Sequence, residues 1–316
     1  MCCWPWSRTP QGLFILASER HLRAVKLRCP QSRCSCSPAG NPFTRHGSFF
    51  RSSDSRTIYR WRCKNCKKTI SRATGHPCFK QHKRRINSPL YQLLCSGVSL
   101  RRSARLLRVN RITIVRKFRF LAEQSRAAHA EFLTQFKHSK LDEIIFDEME
   151  SFEHTKFKPL SILLAVTPKR QILFSEVAQM PAKGLLAAKS RKKYGYRKDD
   201  RPRALRAMFA KLEKFARPDA LFKSDQNPSY PFYLRNSFPH ARHETTKGGR
   251  SAIVGQGELK KLGWDPIFSL NHTAAMFRAN MNRLFRKTWC TTKTVRGLRD
   301  HLALYTRYHN ENLLFA

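Results

Sequence analysis

The chain has 316 residues, which is enough for two or three domains of ordinary size. Its 62 Lys and Arg residues against 21 Asp and Glu give a formal net charge of +41, and this excess favours nucleic acid as a partner because each neutralised phosphate releases counterions. The basic residues are spread along the whole chain, and no apolar run approaches the ~18 residues of a membrane span, so the composition argues against a membrane protein.

The N-terminal segment, residues 1–26, carries no pattern that predicts structure. Its apolar patch at 13–17 is shorter than the roughly 7 residues of a signal-peptide core, and no basic segment precedes Arg8. We therefore leave residues 1–26 unassigned, as an extension expected to be disordered, and expect no secretory signal. A chain of this kind belongs in a reducing compartment, where clustered cysteines more often hold metal than form disulfides.

Residues 27–80 contain a cysteine cluster typical of a zinc ribbon. Five of the ten cysteines lie between residues 29 and 66, and "GSFFRSSDSRTIYRWRC" has the aromatic and β-branched residues of a β-hairpin around a Ser/Asp turn. Two knuckles at such turns bring four thiolates together in the tetrahedral arrangement of Zn²⁺. The second knuckle is a regular C-x-x-C, whereas the first is irregular because Cys36 competes with Cys29 and Cys34. The predicted Zn²⁺ ligands of this DNA-binding domain are Cys29, Cys34, Cys63 and Cys66.

Residues 87–135 predict a helix-turn-helix. In "SLRRSARLLRVNRITIVRKFRFL" the first helix begins after Ser99 as N-cap, and "RVN" separates it from the second. The apolar face of the second helix consists of Ile112, Val115, Phe118 and Ala122. A basic helix of this type can enter the major groove of duplex DNA, with some side chains on base edges and others on phosphates. The residues predicted to contact DNA are Arg111, Thr113, Arg116, Lys117 and Arg119.

Residues 140–316 alternate short apolar strands with amphipathic helices, which predicts an α/β domain. The basic stretch "AAKSRKKYGYRKDDRPR" predicts a loop, and "NHTAAMFRANMNRLFRKTW" predicts a late helix that continues through Asn282. Two of the strands carry an aspartate at their C-terminal edge, because "IIFD" ends at Asp147 and "LFKSD" ends at Asp225. Transfer or hydrolysis at a phosphodiester needs divalent ions held by carboxylates a few ångströms apart, and Mg²⁺ takes one or two carboxylates directly. The pair therefore predicts a site for two Mg²⁺ (or Mn²⁺) ions, held rigidly by strands of one sheet.

The order of a cysteine-rich basic head, a helix-turn-helix and the stretches "IIFDEMESFEH", "FKSDQNPSYP" and "NRLFRKTWCTTK" resembles the small bacterial insertion-sequence transposases of the DDE class. The resemblance covers residues 27–312. It implies an RNase H-like catalytic core at 140–316, with a mixed sheet flanked by helices, preceded by the small zinc ribbon and the helix-turn-helix. It maps the first catalytic aspartate of the family onto Asp147 and the second onto Asp225.

The third catalytic residue of that family is usually a glutamate on a late helix, followed seven residues later by Lys or Arg. The resemblance maps this position onto Asn271 with Arg278 as its basic partner, and seven residues are about two helical turns, so the two share a face. Asn offers a carbonyl oxygen but no charge, which should weaken metal binding. Two alternatives for the third residue remain: His272, although imidazole is a poor Mg²⁺ ligand, and Glu258, in a stretch that predicts a loop.

The resemblance implies a transposase that binds the terminal inverted repeats of an insertion sequence and catalyses Mg²⁺-dependent cleavage and strand transfer. It further implies a homo-oligomer on the double-stranded DNA of element ends and target, without a membrane partner, in the bacterial cytoplasm at the nucleoid. One alternative is a catalytically inactive DNA-binding protein, a degenerate transposase or repressor, which the neutral Asn271 favours. Another is a metal-dependent nuclease or resolvase that cuts without joining.

Overall fold

The computed structural model describes residues 27, 29–31, 34–36, 42–52, 55–79, 81–247, 265–285 and 290–313. The chain divides between Pro89 and Leu90 into two compact units. The sequence-based boundaries of the three domains, at 80, 87, 135 and 140, remain predictions. None of the helices in the described ranges is both long and apolar enough to cross a membrane.

The first unit is built on a small antiparallel sheet. Its strands are β1 (Phe43–Arg51), β2 (Arg56–Cys63) and β3 (Thr69–Ser71), paired in that order, so the predicted hairpin is present. The buried core of this sheet consists of Phe43, Cys63 and Ile70. A core this small covers little surface, and most side chains of β1 and β2 are exposed.

The second unit contains most of the helices and a larger sheet. In chain order, the described helices are α1 (Asn87–Cys95), α2 (Leu100–Leu106), α3 (Arg111–Phe132), α4 (Leu186–Tyr194), α5 (Arg201–Leu212), α6 (Tyr230–Ser237), α7 (Phe268–Asn280) and α8 (Val295–Tyr308). The strands are β4 (Leu141–Phe152), β5 (Pro159–Val166), β6 (Ile172–Gln179), β7 (Ala216–Asp225) and β8 (Arg242–Thr246).

The larger sheet is mixed, with the strand order β6-β5-β4-β7-β8. β4, β5 and β6 form an antiparallel meander, whereas β7 and β8 run parallel to β4. Parallel neighbours need a crossover, and α4 and α5 lie in the connection from β6 to β7, as α6 does in the connection from β7 to β8. This five-stranded mixed sheet flanked by helices is consistent with an RNase H-like core.

One face of the sheet carries the apolar core that holds β4 in place. Ile144 and Phe146 of β4 are buried with α5 and α6, and the ring of Phe146 meets the ring of Phe209 edge-on at 5.2 Å. Successive side chains of a strand point to opposite faces. Asp147 therefore belongs to the other face, as does Asp225, because Ile144 pairs with Phe222 of the core and Asp225 lies three residues further on.

The other face of the sheet carries α7 and α8. α7 packs against β4 and β5, and α8 packs against β6, where the hydroxyls of Ser175 and Thr306 lie 3.0 Å apart. α8 also packs on α3, and Arg126 of α3 forms an ion pair with the buried Asp300. The helix proposed for the third catalytic residue thus lies on the face that bears both aspartates.

Three sequence-based boundaries were wrong. Asp147 does not end its strand, because β4 continues to Phe152 through pairing with β5. The basic stretch 187–203 was expected to be a loop, but its first part lies in α4, where the Ser190 hydroxyl donates to the Phe157 carbonyl at 2.7 Å; residues 195–200 are outside any helix or strand, as expected. α7 ends at Asn280, since the backbone of Met281 is extended, so its predicted continuation through Asn282 is wrong.

Candidate active site and metal centre

Asp147 and Asp225 lie side by side on adjacent parallel strands. The register pairs Ile145 of β4 with Lys223 of β7, and each aspartate follows two residues later on the same face. β7 ends at Asp225, as expected from the sequence, whereas Asp147 sits in the middle of the longer β4. The sheet brings together the two carboxylates that the sequence singled out from positions far apart in the chain.

The two carboxylates influence each other electrostatically. Burial, followed by the negative charge of Asp225, raises the pKa of Asp147 from 3.8 to about 7. Only part of this effect is compensated, by the backbone N–H of Glu148, which donates to Asp147 Oδ1 at 2.6 Å, and by the Tyr230 hydroxyl, which donates to the same oxygen at 3.1 Å. Such an arrangement favours a neutralising partner, and perturbed carboxyls in a cluster are typical of functional sites.

No basic side chain supplies that partner in the described ranges. Neither Asp147 nor Asp225 forms an ion pair with Lys or Arg there, although Glu143, on the same face of β4, pairs with Lys223 at 2.8 Å. In a chain of net charge +41 this is informative, because lysine and arginine are plentiful. Carboxylate oxygens are the ligands that Mg²⁺ prefers, so the pair fits a divalent cation.

Two residues that the sequence analysis did not single out hold the aspartates in position. Tyr230 of α6 is fully buried, and burial with the charges of Asp147, Glu148 and Asp225 raises its pKa, so its hydroxyl stays protonated and donates. The backbone N–H of Asn227 donates to Asp225 Oδ1 at 3.0 Å. Tyr230 follows Asp225 by only five residues in the sequence. A hydroxyl that close in sequence to a candidate metal ligand was the signal that could have identified it.

Asn271 lies in the first turn of α7, exposed, and its amide is engaged by a different acid. Its Nδ2 donates to Asp265 Oδ2 at 2.8 Å, while the other oxygen of Asp265 accepts from the N–H of Ile267. Among the described residues, Asn271 makes no hydrogen bond to Asp147 or Asp225. α7 lies on the correct face, but the assignment of Asn271 as third ligand remains a prediction.

The structure describes Arg278 and His272, the other residues considered together with Asn271, but not Glu258. Arg278 is half-buried on α7, seven residues after Asn271, and its role remains a prediction. His272 faces the turn between β5 and β6, with its Nδ1 3.5 Å from the Arg170 guanidinium, and burial followed by that charge lowers its pKa. Glu258 lies outside the described residues.

The cysteine cluster of the first unit forms a second candidate metal site. The sulfurs of Cys29, Cys34, Cys36 and Cys63 all lie within 4.8 Å of one another. Cys66 belongs to the same cluster, since its sulfur is 3.4 Å from that of Cys29. Four thiolates satisfy a tetrahedral metal ion, so the cluster could hold a structural metal, with five sulfurs available for four positions.

The backbone around Cys63 is arranged for a thiolate. The N–H of Cys66, and then that of Asn65, donates to the Cys63 sulfur and lowers the pKa of the thiol. Lys67 follows with φ of 60°, and its N–H donates to the carbonyl of Cys63 at 3.0 Å, which closes the turn. The second knuckle therefore has a preformed turn that stabilises negative charge on sulfur.

The helix-turn-helix is formed by α2 and α3. The apolar face predicted for α3 was wrong at one position. Ser99 caps α2 by accepting from the N–H of Arg102, as expected, and Asn110 caps α3 by accepting from the N–H of Ile112. Ile112 is exposed and Ile114 is buried in its place. Of the predicted DNA contacts, Arg111, Arg116 and Arg119 are exposed and Thr113 is half-buried.

Lys117 is buried, so the expectation that it lies on the exposed side of α3 was wrong, and its role as a DNA contact remains a prediction. It precedes Phe118, which packs on α8, and the apolar stripe of α3 is wider than the sequence pattern indicated. A shallow depression of about 350 Å³ between α2 and α3 is lined by arginines, most of which were not among the predicted DNA contacts. Its basic lining, of which only Arg111 was expected, consists of Arg101, Arg105, Arg108 and Arg111.

Comparisons with known proteins add little to this geometry. No protein-family model matches the chain, and no curated protein matches it. Among solved structures, it is similar to one described as "Crystal structure of a pre-cleavage Mos1 transpososome", with 12% sequence identity, over 71% of this chain and 77% of that chain, at a TM-score of 0.22. A similarity this low supports no conclusion about fold or function.

Proposed function

We propose that the chain is a DDE-type transposase, which binds the terminal inverted repeats of an insertion sequence and catalyses Mg²⁺-dependent strand cleavage and strand transfer. The observation that carries the proposal is the pair of carboxylates on adjacent parallel strands, Asp147 and Asp225, which form no ion pair with Lys or Arg among the described residues. Its sequence support is the resemblance of "IIFDEMESFEH" and "FKSDQNPSYP" to that class. Acting on element ends and chromosomal targets, the protein would work at the bacterial nucleoid.

Asp147 and Asp225 would hold the divalent ions, with Asn271 offering a neutral oxygen as third ligand and Arg278 a positive charge towards phosphate. Bound divalent ions supply Lewis-acid stabilisation of the attacking and leaving oxygens of an in-line displacement. Tyr230 fixes the rotamer of Asp147 through its hydrogen bond, and the N–H of Asn227 does the same for Asp225. These contacts set the separation of the two carboxylates before any ion binds.

The proposal divides DNA recognition from chemistry. The exposed arginines of α3 and the arginine-lined depression beside α2 would grip element ends, reading base edges and phosphates respectively. In the first unit, Zn²⁺ on Cys29, Cys34, Cys63 and Cys66 would hold the knuckles together as a structural ion. Joining two element ends to one target implies a homo-oligomer on DNA.

A second candidate function is a DNA-binding protein without catalysis. The observation in its favour is Asn271, which is neutral where the class usually has an acid and which gives its amide to Asp265. Such a protein would keep the basic surfaces of the first unit, α2 and α3 and could act as a repressor of transposition. The two functions differ in one property only, the formation of covalent DNA products.

A strand-transfer assay separates the two functions. Purified protein is incubated with pre-cut element ends, a target plasmid and Mg²⁺, and joined products are resolved on a gel. Asp225→Asn should lower product formation on the order of 10³-fold, because several kcal/mol of transition-state stabilisation are lost. Asp219→Asn is the matched control, since Asp219 lies on the same strand but is exposed and paired with Arg217.

The outcomes of that assay are decisive. Joined products that persist in Asp219→Asn and vanish in Asp225→Asn support the transposase. Tight DNA binding without cleavage or joining in the wild type supports the non-catalytic protein. Cleavage without joining would instead indicate a nuclease or resolvase.

A further inference from the structure

The hairpin of β1 and β2, residues 43–63, exposes large aromatic side chains on both of its faces. We refer to it as the basic hairpin. Phe49, Phe50 and Tyr59 are 46%, 66% and 48% exposed. Ser48 pairs with Tyr59 and Phe49 with Ile58, so Phe49 lies on the face opposite to Phe50 and Tyr59. Aromatic rings left in solvent on two faces are unusual and indicate a surface that binds something.

Cations accompany the rings on each face. The guanidinium of Arg45 lies 5.3 Å from the ring centre of Tyr59 on one face, and that of Arg60 lies 5.8 Å from the ring centre of Phe49 on the other. Arg60 Nε is buried and has no hydrogen-bond partner among the described residues. Stacking of this kind holds a guanidinium in a fixed orientation while its charge stays available to an anion.

The charge of the hairpin is almost entirely positive. Residues 43–63 contain five arginines and a single acid, Asp54. An interrupted register between Arg45 and Ser48 marks a bulge, where Gly47 has φ of 74°. A bulge bends a ribbon and strengthens its twist, and glycine tolerates this backbone better than any other residue. The hairpin is thus a curved, basic, two-sided ribbon.

We propose that the basic hairpin inserts into a groove of duplex DNA, with arginines of its two faces on the two phosphate walls and Phe50 against the base edges. This inference rests on the proposed action on DNA. A two-stranded ribbon fits the width of the major groove. In that position both faces meet phosphate, which accounts for cations on each face, and an apolar tip meets bases or sugars.

The two-sided charge argues for a groove over a single strand. A single-stranded chain stacks its bases along one surface and follows one basic track, so one face of the hairpin would suffice. Here the two stacked pairs, Arg45 with Tyr59 and Arg60 with Phe49, lie on opposite faces. The ligand class is therefore double-stranded DNA, held largely through its backbone.

The test uses the full chain with a short fluorescent duplex and, separately, one of its strands. Binding is followed by anisotropy over a salt series, without added Mg²⁺ and without chelator, so neither cleavage nor loss of metal from the cysteines contributes. Arg45→Ala combined with Arg60→Ala should weaken duplex binding more than tenfold and reduce the slope of log K against log salt by about 1.8, because two phosphates are no longer neutralised. Phe50→Ala should weaken duplex binding roughly tenfold with little change in slope.

Matched controls come from the second unit. Phe232→Ala removes a phenylalanine of similar exposure, 62%, and Arg296→Ala removes an exposed arginine of α8. Both should change duplex affinity less than about twofold, as ordinary surface substitutions do. Zinc content and thermal unfolding, measured on each variant, verify that the hairpin variants are folded.

Duplex binding equal to wild type in the folded hairpin variants would overturn the inference. Equal or greater loss for the single strand would overturn it as well, in favour of a base-stacking platform. Failure of the transposase proposal would give a different result. The hairpin variants would still weaken duplex binding, but the wild type would form no cleaved or joined DNA in the strand-transfer assay.

Discussion

The two candidate metal sites of this chain differ in what holds their ligands in place. The cysteine cluster rests on a sheet whose buried core is three residues, Phe43, Cys63 and Ile70. Asp147 and Asp225 rest on a five-stranded sheet with a continuous apolar core on one face and two helices on the other. In the first unit the ligands form much of the core, whereas in the second the core exists without them.

This difference predicts two roles for metal. A small sheet cannot offset the chain entropy of folding by apolar burial alone, so the thiolate-bound ion should stabilise the first unit directly. The larger sheet forces two like charges together, so it is the fold that creates demand for a cation. We therefore expect the first unit to need its metal ion in order to fold. The second unit should fold without metal and so position the two carboxylates that bind it.

The largest effect is expected at the cysteines. Cys63→Ser should remove the bound zinc and unfold the first unit, because structural Zn²⁺ contributes on the order of 10 kcal/mol to small domains. The second unit should keep its cooperative thermal transition. Zinc content by mass spectrometry and amide hydrogen exchange, resolved by segment, would measure both.

Two cysteine controls sharpen that result. Cys290→Ser, in the second unit, should leave zinc content unchanged. Cys36→Ser should also keep the ion if Cys66 is the fourth ligand, whereas Cys66→Ser should lose it. Zinc retained in Cys63→Ser would show that the cluster does not bind metal as proposed.

The next effect concerns stability against pH in the metal-free protein. The folded pKa of Asp147, about 7, is above its ordinary 3.8, so the folded state holds a proton that the unfolded chain releases, and stability falls as pH rises through this window. Asp147→Asn removes that cost. Above the window, at about pH 8, the variant should be more stable than wild type by up to about 4 kcal/mol, at 1.36 kcal/mol for each unit of pKa.

Denaturant unfolding at two pH values measures the difference in unfolding free energy between Asp147→Asn and the wild type. At about pH 4.5 the stability difference should shrink to about 1 kcal/mol, because this pH is only about 0.7 units above the ordinary pKa of 3.8, so deprotonation of the unfolded chain contributes little. Excess Mg²⁺ should narrow the gap at high pH by binding only the folded wild type. Asp219→Asn should gain nothing at either pH, and an Asp147→Asn variant no more stable than wild type at high pH would contradict the electrostatic account.

A smaller effect is expected at Asn271. Asn271→Ala should raise the Mg²⁺ concentration for half-maximal strand transfer about 100-fold, at the upper end of what is seen for residues that support a metal site. Affinity for element ends should not change. His272→Ala is the neighbouring control, and an effect there without one at Asn271 would move the third ligand to His272.

The smallest effect is expected at Tyr230. Tyr230→Phe keeps the buried ring and removes the hydroxyl that donates to Asp147, so it should raise the same Mg²⁺ requirement about tenfold. High Mg²⁺ should restore the rate, because the variant loses orientation rather than a ligand. Tyr233→Phe, on the same helix, should behave as wild type, and an irreversible loss in Tyr230→Phe would indicate a fault in packing.

The sequence predicted those parts of the molecule that depend on local pattern. Ser99 as a helix cap, the hairpin before Cys63 and the aspartate at the end of β7 follow from short-range signals, and the structure has them. The extension of β4 beyond Asp147 depends on β5, a partner that lies later in the chain, so an apolar run alone ended the strand too early.

The unexpected burial of Lys117 and the missed role of Tyr230 share a cause, which is contact with elements distant in the chain. Lys117 reads as a surface cation, but α3 packs along α8 from the far end of the chain, and that contact decides which side of the helix is covered. The same holds for Tyr230, whose role depends on α6 reaching across to Asp147. Local spacing carries no information on either contact.

The most direct test of the central claim is to locate divalent ions by anomalous diffraction from crystals of the protein soaked in Mn²⁺. The account predicts Mn²⁺ within direct coordination distance, about 2.1 Å, of carboxylate oxygens from both Asp147 and Asp225. It also predicts that this peak disappears in Asp225→Asn and persists in Asp219→Asn. Mn²⁺ bound elsewhere on the molecule, with neither aspartate as a ligand, would contradict it.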